Sequence, residues 1–252
     1  MLEEAAEFAT KNVSQAAPNT LRAASNFYQF KFEAKDFSYG TGPWGSPRLR
    51  KAMANHMNRH FHPLKPIIPD ELLFASGVTS LCELLGFSMC DPGDAVLFSR
   101  PCYQAFASDF GSKAKVRCEY ASFGDIDQFS IDAVAKYEEA LESAKQKGVR
   151  IRALMLVHPH NPLGRCYTRE ALIGFMKLCQ KHEIHLLADE IYALSVYEVP
   201  NHPKATKFES ILSLDTDQYI EQNYLHVLYG MSKDTAAGGL RLGMYLPGRT
   251  LP

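Results

Sequence analysis

The sequence predicts an α/β layered domain: a mostly parallel sheet of about seven strands with helices on both faces. Three observations predict it. Seven short apolar runs recur along the chain, at Glu71–Ala75, Ala95–Phe98, Lys115–Tyr120, Ile151–Val157, Ile184–Ala188, Leu225–Tyr229 and Leu240–Leu246. Amphipathic stretches with helix caps lie between several of them. Two runs, Ile151–Val157 and Ile184–Ala188, are apolar nearly throughout, as parallel strands covered on both faces are.

Taken in order, Leu2 to Lys11 is helix-prone, and Asn, Ser and Pro interrupt the stretch at 12–19. A helix is expected from Pro47, because Leu49, Met53, His56, Met57 and His60 recur at helical spacing; Pro63 and Pro66 end it. Leu81, Leu84 and Leu85 mark an apolar helix after the first strand. Ser130 is the expected N-cap of a helix to about Lys147, which Gly148 closes. Thr168 is the expected N-cap of another, with Leu172, Phe175, Met176 and Cys179 on one side. No repeat, low-complexity tract or flexible linker divides the chain.

The 252 residues carry 46% hydrophobic and 22% charged side chains, ordinary for a globular protein and wrong for a disordered one. Lys plus Arg is 27 and Asp plus Glu is 28, so nothing supports a nucleic-acid partner or a polybasic contact with a membrane. No apolar run approaches the length of a membrane span. The amino terminus is acidic, unlike a signal or transit peptide. Six cysteines form no C-x-x-C pair and most sit in apolar segments, as reduced, buried thiols do. The expectation is a cytoplasmic protein.

In open α/β sheets ligands bind beyond the carboxyl ends of the strands. Four polar groups follow predicted strands there: Ser76-Gly77-Val78-Thr79, His158-Pro159-His160-Asn161-Pro162, Asp189-Glu190-Ile191-Tyr192 and Ser232-Lys233. Each alone is explained by turn chemistry; the four together point to a site. Free N–H groups and the helix dipole after Ser76 favour a phosphate, although a capped helix start accounts for the same residues. Asp189 after an apolar strand calls for a cationic partner, or serves as a structural acceptor. Lys233 in a cleft can act as nucleophile or base, whereas most lysines are simply solvated. Arg241, placed on the strand after the lysine loop and flanked by glycines, could grip a phosphate in bidentate fashion. With the aromatic Tyr103, these groups describe a pyridoxal-phosphate pocket.

The residues at this point resemble the class I/II aminotransferase family of fold-type I pyridoxal-phosphate enzymes, and most of all its 1-aminocyclopropane-1-carboxylate synthase-like subgroup. Six segments carry the resemblance. They are Tyr-Gly-Thr-Gly-Pro-Trp-Gly-Ser-Pro-Arg-Leu-Arg (39–50), Ala-Ser-Gly-Val-Thr-Ser (75–80), Arg-Pro-Cys-Tyr (100–103), His-Asn-Pro-Leu-Gly (160–164), Ala-Asp-Glu-Ile-Tyr (188–192), and Ser-Lys-Asp through Gly-Leu-Arg-Leu-Gly (232–243). They cover nearly the whole chain in the family's order.

The resemblance implies roles. Lys233 forms the Schiff base with pyridoxal 5'-phosphate and moves the substrate Cα proton. Asp189 pairs with the pyridine nitrogen, Tyr192 and Asn161 bond the ring's 3-oxygen, and Tyr103 stacks on the ring. Val78 and Thr79 through backbone N–H, Ser232 through its hydroxyl and Arg241 through its guanidinium hold the phosphate. Tyr39 is a candidate substrate contact, standing in for a tyrosine that a neighbouring subunit contributes in the subgroup. Gly230 stands where synthase-like relatives often carry a serine on the phosphate.

It also implies a partial amino-terminal segment at 1–38 and a cofactor-binding large domain at 39–252. The carboxy-terminal small domain, with its substrate-carboxylate arginine, is missing, and the chain looks truncated at both ends. The implied function is aminotransferase chemistry on an amino acid, a small-molecule substrate. The alternatives are synthase-like or carbon–sulfur lyase elimination, or a truncated, non-catalytic cofactor-binding or interaction protein. The family pairs as a homodimer.

Two motifs in the sequence are decoys. Gly40-Thr41-Gly42-Pro43-Trp44-Gly45 matches a dinucleotide fingerprint, yet no clean apolar strand precedes it and the next acidic residue is Asp70. His56 and His60 are four apart with His62 close by, but no carboxylate or cysteine completes a metal shell. No metal is expected.

Overall fold

The computed structural model describes residues 42–198 and 205–248. The expected helix at 2–11, the boundary at 38/39 and Tyr39 lie outside the described residues. The chain divides into two compact units, Met1–Ser46 and Pro47–Pro252. The sheet, its helices and the site all belong to the second.

Seven strands are present: β1 (Leu73–Ala75), β2 (Ala95–Ser99), β3 (Arg117–Ala121), β4 (Ile151–Val157), β5 (His185–Asp189), β6 (Leu225–Gly230) and β7 (Gly243–Pro247). Their order is β1-β7-β6-β5-β4-β2-β3. The pairs from β3 through β6 are parallel, and β7 runs antiparallel to both β6 and β1. The helices are α1 (Pro47–His60), α2 (Gly77–Met89), α3 (Phe106–Gly111), α4 (Ala133–Gln146) and α5 (Arg169–His182).

Strand alternation sends side chains to two cores, one on each sheet face. Leu154, Leu156, Leu186, Ala188 and Val227 join Met53 and Met57 of α1, Tyr137 and Leu141 of α4, and Leu172, Phe175 and Met176 of α5. Ala153, Met155, Val157, Leu187 and Leu228 face the other way, against Leu81, Cys82 and Leu85 of α2 and Phe106 and Phe110 of α3. The central strands are therefore buried on both sides, which is why Ile151–Val157 and Ile184–Ala188 read as apolar runs. Truncating a buried ring such as Phe175 would cost about 3–5 kcal/mol.

The Thr168 cap is present: its hydroxyl accepts from Ala171 N at 3.2 Å. The Ser130 cap is not. That hydroxyl donates to Asp127 O at 2.8 Å, and a turn over 130–132 leads into α4, which starts at Ala133. Gly148 closes α4 as expected, with φ +69°. The last strand starts later than its apolar run. Gly238–Leu240 forms a 3-10 turn, and Arg241 follows in the left-handed region with φ 52°. Arg241 thus precedes β7 in a turn and is not on the strand.

Candidate active site

The carboxyl ends of β4 and β5 open onto a cavity of about 250 Å³. Val78, Thr79, Tyr103, Asn161, Asp189, Tyr192, Ser232, Lys233 and Arg241 all line it. All nine residues expected at the cofactor thus share one cavity.

On one wall of the cavity, α2 begins at Gly77, whose φ is +86°. Its first-turn N–H groups have no intrahelical acceptors, leaving a partial positive charge at Val78 and Thr79. Arg241 lies against this end, with Nη2 3.5 Å from Ser76 O and Nη1 donating to Gly238 O at 3.1 Å. A β-carbon at Gly77 would fall 2.4 Å from Nη2, and one at Gly243 would fall 2.4 Å from Gly77 C. Two glycines therefore let the guanidinium and the start of β7 close onto the helix start. The donors collected here suit a phosphate dianion.

Asp189, 5% exposed, is the last residue of β5 and lines the same cavity. Oδ1 accepts from Ile191 N at 3.1 Å. The other oxygen has no hydrogen-bond partner among the described residues. Burial pushes the carboxyl up to about 7, against the opposing pull of the Ile191 N–H and the Lys233 charge. A carboxylate so placed is matched by a cationic ring N–H.

Asn161 Nδ2 donates to Tyr192 Oη at 3.4 Å, and Lys233 Nζ lies 5.6 Å from the Tyr192 ring centre. Tyr103 is 38% exposed and packs edge-on against Phe106 at 5.3 Å.

The neighbours of these residues are structural. Glu190 is fully buried and accepts from Ser210 Oγ at 2.6 Å and Ile211 N at 2.8 Å. Burial pushes its carboxyl up to about 8. His160 meets Ser99 Oγ at 2.9 Å, and His158 meets Glu209 O at 3.0 Å. Burial lowers both imidazoles to about 4, so both are neutral loop supports. His56 of the histidine decoy approaches Tyr229 Oη at 3.3 Å.

Sequence reasoning missed five wall residues: Cys82, Phe106, Asp109, Val157 and Ile191. Helical spacing could have found Cys82, four after Val78, and the end of β4 could have found Val157. Burial holds the Cys82 thiol well above its ordinary range, helped by the Asp189 and Asp109 charges. Asp109 is itself raised by burial. Its place on the short α3 left no periodic signal.

An α/β sheet with an anion cradle, a buried carboxylate and a lysine around one cavity defines a phosphate-cofactor protein. Residues 7–247 match the family Aminotransferase class I and II, and the chain belongs to it. It is 32% identical over 208 residues to the probable aminotransferase sirI of Leptosphaeria maculans, covering 82% of this chain and 49% of that protein. It is 30% identical over 226 residues to a 1-aminocyclopropane-1-carboxylate synthase of Glycine max, covering 90% of this chain and 43% of that one. The chain thus spans half or less of the length of these relatives. Among solved structures, a Thermus thermophilus aspartate aminotransferase mutant shares the fold with a TM-score of 0.66 at 23% identity, over 82% of this chain and 51% of that one.

Proposed function

We propose that this chain binds pyridoxal 5'-phosphate and acts on an amino acid as an aminotransferase of the class I/II type. One observation carries the reading: the anion cradle at Gly77 and Arg241, the buried Asp189 and Lys233 face a single cavity. When bound, the cofactor supplies an electron sink for the charge left on the substrate Cα.

This chain's residues do the rest. Val78 and Thr79 N–H, the Ser232 hydroxyl and the Arg241 guanidinium hold the phosphate. The Asp189 carboxylate keeps a proton on the pyridine nitrogen, and the ring charge in turn stabilises Asp189 in its ionised form. Asn161 and Tyr192 orient the ring oxygen, and Tyr103 covers a ring face and excludes water. Lys233 is the point of covalent attachment. Once released, its Nζ takes the Cα proton and returns it.

A second reading, elimination of the synthase type, is favoured by the similarity to the Glycine max synthase. Both reactions begin with the same proton removal at Lys233. Products separate them. An oxo acid with pyridoxamine phosphate supports transfer, whereas a released side-chain fragment with the cofactor unchanged supports elimination. Neither product from a panel of amino acids, with cofactor bound, would leave a non-catalytic binding protein.

The reading places the protein in the cytoplasm as a homodimer. Six free cysteines suit a reducing compartment, and no helix among the described residues is long and apolar enough to cross a membrane. Leu84 and Phe87, 54% and 67% exposed on α2, give a second copy an apolar face. A monomer in sedimentation velocity would contradict the pairing. Residues 39–252 form the cofactor-binding domain in this reading.

A further inference from the structure

Lys233 and Tyr192 come from separate turns, and one side chain joins those turns. Asp234 Oδ2 accepts from Leu194 N at 2.9 Å and Oδ1 accepts from Ser195 Oγ at 2.5 Å. Oδ2 also accepts from the Tyr229 phenol at 3.1 Å. Tyr229 is fully buried in β6, and its oxygen lies 3.3 Å from His56 Nε2. Because the phenol hydrogen points at Asp234, His56 must donate through Nε2–H in that contact. The result is a directed chain from α1 through β6 to Asp234. Burial and the neighbouring His60 lower the His56 imidazole below its ordinary range, against the opposing pull of the Asp234 charge.

The lysine loop folds on itself through Ala236 N to Lys233 O at 3.1 Å and Ala237 N to Met231 O at 3.0 Å. Neither bond reaches the Tyr192 turn. Among the described residues, the hydrogen bonds from 231–237 to 190–195 all end on the Asp234 carboxylate. The neighbouring residue, Lys233, is therefore held relative to the Tyr192 ring by a carboxylate with three donors, two of them on the facing turn.

We propose that Asp234 is a positioning residue: it fixes the Lys233 amine against Tyr192 and so sets how fast, and over what pH range, Lys233 captures pyridoxal phosphate, its amine condensing with the aldehyde so that C=N replaces C=O and the oxygen leaves as water. The proposal rests on Lys233 being the attachment point. The titratable groups that share the cavity with Lys233 are Asp189, Tyr192, Tyr103, Asp109, Cys82 and Arg241. None of them contacts Asp234 in a hydrogen bond among the described residues; Asp234 itself faces Tyr229 and, beyond it, His56, and the neutral Asp234→Asn variant separates its charge from its geometry.

The test follows pyridoxal phosphate capture by the rise of its visible band, with borohydride trapping and peptide mass mapping, across pH. It compares wild type with Asp234→Ala, Asp234→Asn and Ser195→Ala, and thermal melts are run in parallel. Misplacing a reacting group by an ångström costs up to about a hundredfold, so Asp234→Ala should slow capture roughly tenfold or more and move the pH midpoint of the band. Asp234→Asn keeps an acceptor for Leu194 N and should recover much of the rate. Ser195→Ala removes one bond and should show a smaller change of the same sign, even if Asp234→Ala does not fold. Folded variants that melt lower yet capture at the wild-type rate and midpoint would make Asp234 a mere brace and overturn the proposal. Wild type that never attaches the cofactor would overturn the attachment reading and this proposal with it.

Discussion

Nη2 of Arg241 lies 2.4 Å from where a β-carbon on Gly77 would be, closer than any β-carbon tolerates. The guanidinium reaches the start of α2 because residue 77 has no side chain. Gly77→Ala should therefore push Arg241 off the helix end and strain a backbone at φ +86°. The expected cost is about 1–3 kcal/mol of stability and roughly a tenfold loss of affinity for pyridoxal phosphate or inorganic phosphate. Urea unfolding and a fluorescence titration measure the two effects. Unaltered phosphate affinity would remove Arg241 from the cradle.

Asp189 makes the cofactor-free protein sensitive to pH. Burial moves its carboxyl from 3.8 to about 7 on folding. The folded state then holds the proton more tightly, so this group's contribution is fully present below the unfolded value and is lost as pH rises through 7. Asp189→Asn should raise stability without cofactor at pH 8 by up to ~4 kcal/mol, and by much less at pH 5. In the presence of saturating pyridoxal phosphate the ordering should reverse, because the ring N–H then pairs with the carboxylate. Denaturant midpoints at both pH values check this. An equal gain at the two would place the titration elsewhere.

Glu190 follows Asp189, yet its work is structural. It holds the Ser210 hydroxyl and the Ile211 N–H. Glu190→Ala leaves both donors buried and unpaired, at about 1–3 kcal/mol each. Amide exchange at Ile211 should accelerate sharply. Unchanged protection there would show that other contacts hold the segment.

Gly230 occupies the position at which synthase-like relatives often carry a serine. A β-carbon here would sit 2.6 Å from Leu242 O and 3.2 Å from Ile191 Cδ1. Gly230→Ser should therefore destabilise by about 1–3 kcal/mol through overpacking and add no phosphate affinity. Tighter cofactor binding in this variant would mean that β7 can move to admit the hydroxyl.

Much of this architecture was legible because burial writes itself into residue type. The two-sided cover of β4 and β5 made their runs uniformly apolar, and Thr168 caps α5 as its position implies. The site was legible where a polar residue ended such a run, as at Asp189, or followed it within one short loop, as at Asn161. Turn geometry was not. Ser130 satisfies its hydroxyl within its own turn, and Arg241 leaves the strand because Gly238–Leu240 closes a 3-10 turn before it. Asp234 was also hidden, since its partners Leu194, Ser195 and Tyr229 are brought to it by tertiary packing. Backbone and hydroxyl donors leave no spacing signal.

Lys233 is the proposed point of cofactor attachment, in a cavity that also holds donors for a phosphate and a carboxylate for a ring N–H. Its most direct test adds pyridoxal phosphate to the purified protein, records the visible spectrum, reduces with borohydride and maps the modified peptide by mass. A yellow band should form, be fixed onto Lys233 and be lost in Lys233→Ala. A folded protein with no band, or a modification that persists in Lys233→Ala, would contradict it.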